Sequence, residues 1–176
     1  MSELINLSLT DQILGLSDKS FSSKEITDAY LNEIREKKSL NCYISVFEED
    51  AKKNAVLADK NISRNKVRPL EGIPIAHKDI FCIKDKKTTC GSRMLSDFIS
   101  PYSSEVFSRL DDVGAITLGK TNMDEFAMGS SNETSFYGNV LNPINEKFSP
   151  GGSSGGSAAA VRANLCSFAT ATDTGG

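Results

Sequence analysis

The sequence predicts an α/β fold with some parallel strand pairing. Three features carry this expectation. Segments of helical period alternate with short β-branched runs, a capping box opens a long helix, and a glycine divides a later helix from the apolar run behind it. Taken in order, Phe21 precedes Ser22-x-x-Glu25, the spacing of a capping box. Ile26, Tyr30 and Ile34 then recur every four residues on one helix face. Lys37 and Lys38 close that run, where cations suit the negative helix end. Tyr43 to Phe47 is short, aromatic and β-branched, and reads as a strand. Glu48 to about Ile62 reads as a second helix, with Ala51, Ala55 and Ala58 on a narrow stripe suited to close packing.

The middle third alternates. Ile73 to Ala76 and Ile80 to Ile83 are short apolar runs, read as strands, around His77-Lys78-Asp79. Ser104 to Val113 reads as a helix with Phe107, Leu110 and Val113 three apart, and Gly114 as its stop. Ala115 to Leu118 is then a strand. Residues 149–157 read SPGGSSGGS, Ala158, Ala159 and Ala160 start a helix behind them, and Ser167 to Thr172 reads as a buried strand. So dense a Gly/Ser block could be a linker. It is short and tightly bracketed, however, so the expectation is a turn where backbone approaches a ligand. No internal repeat is visible.

Composition narrows the function classes. The 176 residues are 39% apolar and 24% charged, as suits one globular domain or part of a larger one. Twenty Lys and Arg face 23 Asp and Glu, and the net charge of -3 argues against broad nucleic-acid binding by this chain alone. No apolar run approaches the ~18 residues of a membrane span. The N-terminus has an early Glu3 and no apolar core, so no secretory signal is expected and the cytoplasm is the expected location. The single histidine, His77, excludes a multi-histidine metal site. Cys42, Cys82, Cys90 and Cys166 form no CxxC pair and read as reduced thiols.

Gly114 to Thr121 matches GxxxxGK[ST], the pattern of a phosphate-binding loop. That loop needs a strand before its first glycine and curling N–H groups after it. Here a helix precedes Gly114 and the intervening residues are strand-like, so the match reads as accidental and Lys120 as a structural or solvated lysine. Two features remain: Lys78 between apolar runs, and the serine-rich turn. Burial would disfavour the Lys78 ammonium and leave an amine able to accept a proton, and a neutral lysine beside a serine can replace a histidine base. Equally, Lys78 could pair with Asp79 or Asp85 at the surface, and Ser153 and Ser154 could be plain turn residues.

GIPIAHKDIF (Gly72 to Phe81), GAITLGKTNMDEFAMGS (Gly114 to Ser130) and PGGSSGGSAAAV (Pro150 to Val161) with SFATATDTGG (Ser167 to Gly176) together resemble the amidase signature family. With SNETSFYGNVLNP, the resemblance runs through essentially the whole chain and is nearest to members that hydrolyse glutamine for a tRNA-dependent amidotransferase. It implies an α/β/α sandwich with a mixed central sheet, incomplete here. Residues 1–62 would form an N-terminal helical segment and 63–176 the first part of the catalytic core. It also implies a Ser–cis-Ser–Lys triad. Lys78 matches the base and Ser153 the bridging serine, whose preceding peptide is cis in the family. Thr174, Gly175 and Gly176 match the oxyanion turn, and Thr172 a threonine that orients the bridging serine. The nucleophile would directly follow Gly176, so the expectation is a truncated sequence, inactive alone. Ser154 or Ser157 as a substitute nucleophile would sit on the wrong side of the relay. The resemblance further implies partner subunits B and C, glutamine as substrate, and Glu-tRNA(Gln) held mainly by a partner. ATP and magnesium would be used there, with no cofactor or metal in this chain. The alternatives are a stand-alone amidase for other small amides, a nucleotide hydrolase, or a non-catalytic interaction module.

Overall fold

The structure is a computed structural model that describes residues 3–174. Along the chain run helices α1 (Leu9–Ser17) and α2 (Ser23–Glu36), strand β1 (Tyr43–Val46), helix α3 (Glu48–Ser63), strand β2 (Pro74–Lys78), helix α4 (Glu105–Asp112), strand β3 (Ile116–Thr121) and helix α5 (Gly155–Arg162). The expected capping box opens α2: Glu25 N–H donates to Ser22 Oγ at 3.1 Å, and Ser22 N–H donates to Glu25 Oε2 at 2.8 Å. Helix α1 was not anticipated. Its signals are local and short: Ser8 Oγ accepts from Asp11 N–H, and Leu9, Ile13 and Leu16 follow helical spacing.

The sheet has strand order β1-β3-β2. Central β3 pairs antiparallel with β1 and parallel with β2, with Lys78 opposite Thr121 and His77 opposite Lys120. The sheet is therefore mixed, as the resemblance implies. Every residue of β2 is buried, as expected of a strand with both faces covered. Gly119 is required by the crossing of β1, because a Cβ there would overlap the Ser45 carbonyl oxygen.

Helices α2 and α3 cover one face. Ile26, Tyr30 and Ile34 meet Ala51, Ala55 and Ala58, and both rows join Ile73, Ile75, Ile116 and Leu118 in one core. Each such isoleucine or leucine contributes roughly 1.5–3 kcal/mol by leaving water. The alanine stripe lets the helices approach, and Asp59 of α3 accepts from the N–H groups of Ser23 (2.7 Å) and Lys24 (3.1 Å) at the start of α2. The first 62 residues thus contribute β1 to the sheet and share one core with β2 and β3.

Three expected elements differ. Ile80 to Ile83 is no strand. The β2 ladder ends where Asp79 N–H reaches the Thr121 carbonyl, and Phe81 N–H turns back onto the Lys78 carbonyl. Ser167 to Thr172 runs beside β2 but forms only a bridge, Ala76 to Ala169. Its ladder stops because Lys78 N–H is taken by the Thr170 hydroxyl, while the Thr170 carbonyl is taken by Ser157 Oγ. Helix α5 begins at Gly155, earlier than its alanines, since Gly155 and Gly156 must lie against Asn132 and the Asn122 backbone with no room for a Cβ.

Candidate active site

Strand β2 carries Lys78 to the end of the sheet, and the turn before α5 meets it there. Lys78 is fully buried. Its Nζ lies 2.7 Å from Ser153 Oγ, 2.8 Å from Ser154 Oγ and 2.6 Å from Thr172 Oγ1. The Gly152–Ser153 peptide is cis. Burial pushes the Lys78 amine down to about 8, against the Asp124 and Asp173 carboxylates and the Cys90 thiol, which hold it up. About a tenth of the molecules would then carry a neutral amine at pH 7.

The three oxygens are not equivalent. The Ser154 hydroxyl donates to the Thr172 carbonyl at 3.0 Å, and its oxygen accepts from Thr172 N–H at 3.1 Å. Ser154 can therefore only accept from Lys78. An ammonium donates to all three oxygens. A neutral amine has two donors and one lone pair, so it can donate to Ser154 and Thr172 and accept from Ser153. That arrangement lets a proton pass from the Ser153 hydroxyl to Nζ without moving a heavy atom.

Lys78, Ser153 and Thr172 are thus brought together. The surface pairing of Lys78 with Asp79 or Asp85 is not formed: Asp79 is buried and paired with Lys120 at 2.8 Å. Its other oxygen accepts from Thr89 N–H at 2.8 Å and Thr89 Oγ–H at 2.5 Å. Thr172 touches Lys78 and Ser154 rather than the bridging Ser153 it was expected to orient. Ser157 sits apart, donating to the Thr170 carbonyl at 2.8 Å and sharing a bond with the Thr121 hydroxyl at 2.7 Å. Thr174 lines the cleft, and Gly175 and Gly176 lie outside the described residues. The cleft itself, about 570 Å³, is walled by residues 127–130, 150–154 and 171–174. Sequence reasoning missed the Ser154 contact, because two adjacent serines give no sign of which one faces the lysine.

The GxxxxGKT segment forms the whole of β3 rather than a loop, and Lys120 is buried on Asp79. It cannot cradle phosphates. Among the described residues no cluster of His, Cys, Asp or Glu suits a metal ion, and no helix is long and apolar enough to cross a membrane.

His77 lies behind the site. Its ring packs on Phe107, and burial, then the Lys120 charge, pushes it down to about 4. Unfolded, it would titrate near 6.5. The unfolded chain then binds the proton first, so His77 contributes stability above pH 6.5 that is lost as pH falls toward 4, in total about 3 kcal/mol. Urea midpoints of wild type and His77→Gln measured from pH 7 to 4 should diverge: the wild type loses this increment and the variant does not. Parallel pH curves would refute the assignment.

Residues 25–176 match the family model described as Amidase. The chain belongs to the amidase family. It is 55% identical over 174 residues to the A subunit of glutamyl-tRNA(Gln) amidotransferase from Methylobacillus flagellatus, covering 98% of this chain and 36% of that protein. The corresponding protein of Nitrosomonas europaea is 53% identical over the same share. Among solved amidase-family structures, the peptide amidase of Stenotrophomonas maltophilia superposes with a TM-score of 0.85 at 34% identity, covering 92% of this chain and 35% of that one. The A subunit of glutamyl-tRNA(Gln) amidotransferase from Thermotoga maritima gives 0.75 at 33% identity, covering 93% and 33%. The chain therefore spans about a third of the length of these relatives.

Proposed function

We propose that this chain is the part of a glutamine-hydrolysing amidotransferase subunit that holds the base and the bridge of a Ser–cis-Ser–Lys triad. The observation that carries this is the 2.7 Å contact between a buried lysine amine and a serine hydroxyl after a cis peptide. The identity to the A subunit of glutamyl-tRNA(Gln) amidotransferase supports glutamine as the substrate.

In the longer protein, a serine directly after Gly176 attacks the side-chain amide carbon of glutamine. It gives its proton to Ser153, whose own proton passes to neutral Lys78. Backbone N–H groups of Thr174, Gly175 and Gly176 stabilise the oxyanion. The proton returns through the same relay to the leaving nitrogen, ammonia departs, and water attacks the acyl ester to release glutamate. Ammonia then serves partner subunits B and C, which hold Glu-tRNA(Gln) and use ATP and magnesium to form Gln-tRNA(Gln). The one segment of this chain with a phosphate-loop pattern is a buried strand, which removes that argument for ATP binding here. The cytoplasm is the compartment in which such a complex would work.

The test is ammonia release by the longer protein bearing residues 1–176, assayed with glutamine, with peptide amides and with other small amides. Glutamine-dependent release, raised by the partner subunits and Glu-tRNA(Gln), is expected. Turnover of peptide amides with glutamine inert would replace this reading by a stand-alone amidase, and ATP hydrolysis by the chain alone would overturn both.

A further inference from the structure

Asp124 follows β3 and is fully buried, yet the triad does not use it. Its backbone N–H donates to the Ser153 carbonyl at 3.1 Å. Its carboxylate lies between Gly152 of the turn and the 129–134 segment. Oδ2 accepts from Asn132 N–H at 2.9 Å, and Oδ1 accepts from Thr134 N–H at 3.2 Å and Thr134 Oγ–H at 2.9 Å. All three donors are neutral. Two glycines are shaped to this carboxylate. A Cβ at Gly129 would overlap Asp124 Cγ, and one at Gly152, the residue before the cis bond, would overlap Asp124 Oδ2. One residue thus touches the bridging serine by its backbone, the preceding glycine by its carboxylate, and Asn132 and Thr134, next to the cleft wall, by hydrogen bonds.

We propose that Asp124 is a positioning residue that clamps the 129–134 segment onto the Gly152–Ser153 turn and so keeps Ser153 within reach of Lys78. A carboxylate suits this place better than an amide. Its oxygens meet only donors, so the NH₂ of an asparagine would confront an N–H on one side or the other. The charge has a second consequence. The groups close enough to act on the charge of Lys78 are Asp124 from the segment after β3, Asp173 from the C-terminal segment and the Cys90 thiol from the loop after β2. His77 and the Lys120–Asp79 pair lie behind it on the sheet. Each of the three favours the protonated amine against burial. Removing the Asp124 charge would therefore lower the pH at which Lys78 gives up its proton.

The inference rests on the proposed amidase reading for its kinetic arm but not for its spectroscopic one. In the longer protein, Asp124→Asn should lower kcat for glutamine hydrolysis about tenfold or more, with KM changed less than about threefold. The acid limb of kcat/KM should move to lower pH by about half a unit or more. Thr134→Val, an isosteric change on an exposed loop residue, removes one donor and should lower kcat severalfold with KM held. It keeps the question answerable if the asparagine variant does not fold. Independently of any substrate, the ε-carbon NMR signal of Lys78 should titrate near 8 in wild type and lower in Asp124→Asn. A displaced Lys78 titration in a protein that does not hydrolyse glutamine would sink the substrate reading and keep this one. An unmoved titration together with kcat within twofold in both variants would overturn it.

Discussion

Replacing Lys78 by methionine in the longer protein is expected to reduce amide hydrolysis by about 10⁴-fold while the protein stays folded. The loss follows from the three contacts at its amine, since no other base stands within hydrogen-bond distance of Ser153 Oγ among the described residues. Lys78→Arg is expected to be equally inactive, because a guanidinium does not lose its proton at working pH. In wild type, kcat/KM should climb with pH through an apparent value near 8 and level off above it. Retention of the fold follows from linkage. The folded amine titrates lower than the unfolded one at 10.5, so the stability the lysine contributes is present only above that pH and falls away toward 8. At pH 7 the folded state carries a buried charge that a methionine of similar length does not have. Initial rates across pH 6–10, with urea midpoints for both proteins, check this. A rate within tenfold of wild type would remove Lys78 from the chemistry.

The largest effect on stability is expected at the penultimate position of β3. Lys120→Met should cost about 3–5 kcal/mol, because it leaves the Asp79 carboxylate buried without its cation. Lys120 and Asp79 are both essentially inaccessible, and the ammonium also donates to Thr88 Oγ1 at 3.3 Å. Breaking the pair strands one charge, whereas removing both does not. The double variant Lys120→Met with Asp79→Asn should therefore recover most of the loss, as a double-mutant cycle on denaturation midpoints would read. Purely additive losses would show that the pair is not coupled. Asp79 also receives both donors of Thr89, so the single variant should loosen the loop after β2 first.

Much of this was legible from residue order. The capping box of α2, the alanine stripe of α3 and helix α4 with its glycine stop all depend on neighbours within four positions, and each formed as expected, with Ser104 capping α4 rather than lying within it. The P-loop match could be declined from the same local reasoning, because its middle residues favour a strand. Lys78 and Ser153 were marked by segment resemblance, although 75 positions separate them. Residue order could not show pairings whose partners are far apart in the chain and chemically interchangeable on paper. Two aspartates stood near Lys78, yet Lys120 claims Asp79 across the β2–β3 register. Four serines stood in residues 149–157, yet only 153 and 154 reach the amine; Ser157, already on α5, is aimed at Thr170. Asp124 gave no signal, since its importance lies in two glycines that carry no side chain to notice.

The sequence by itself determined helices α2, α3 and α4 and the three strands of the sheet, because capping, periodicity and burial tendency act over a few residues, while Lys78 and Ser153 were marked by the resemblance of whole segments. Only the tertiary structure decided which charges face each other and which hydroxyl can accept or must donate. Those depend on register and on distances of a few ångströms between strands, and a hydrogen bond exists or fails on that scale.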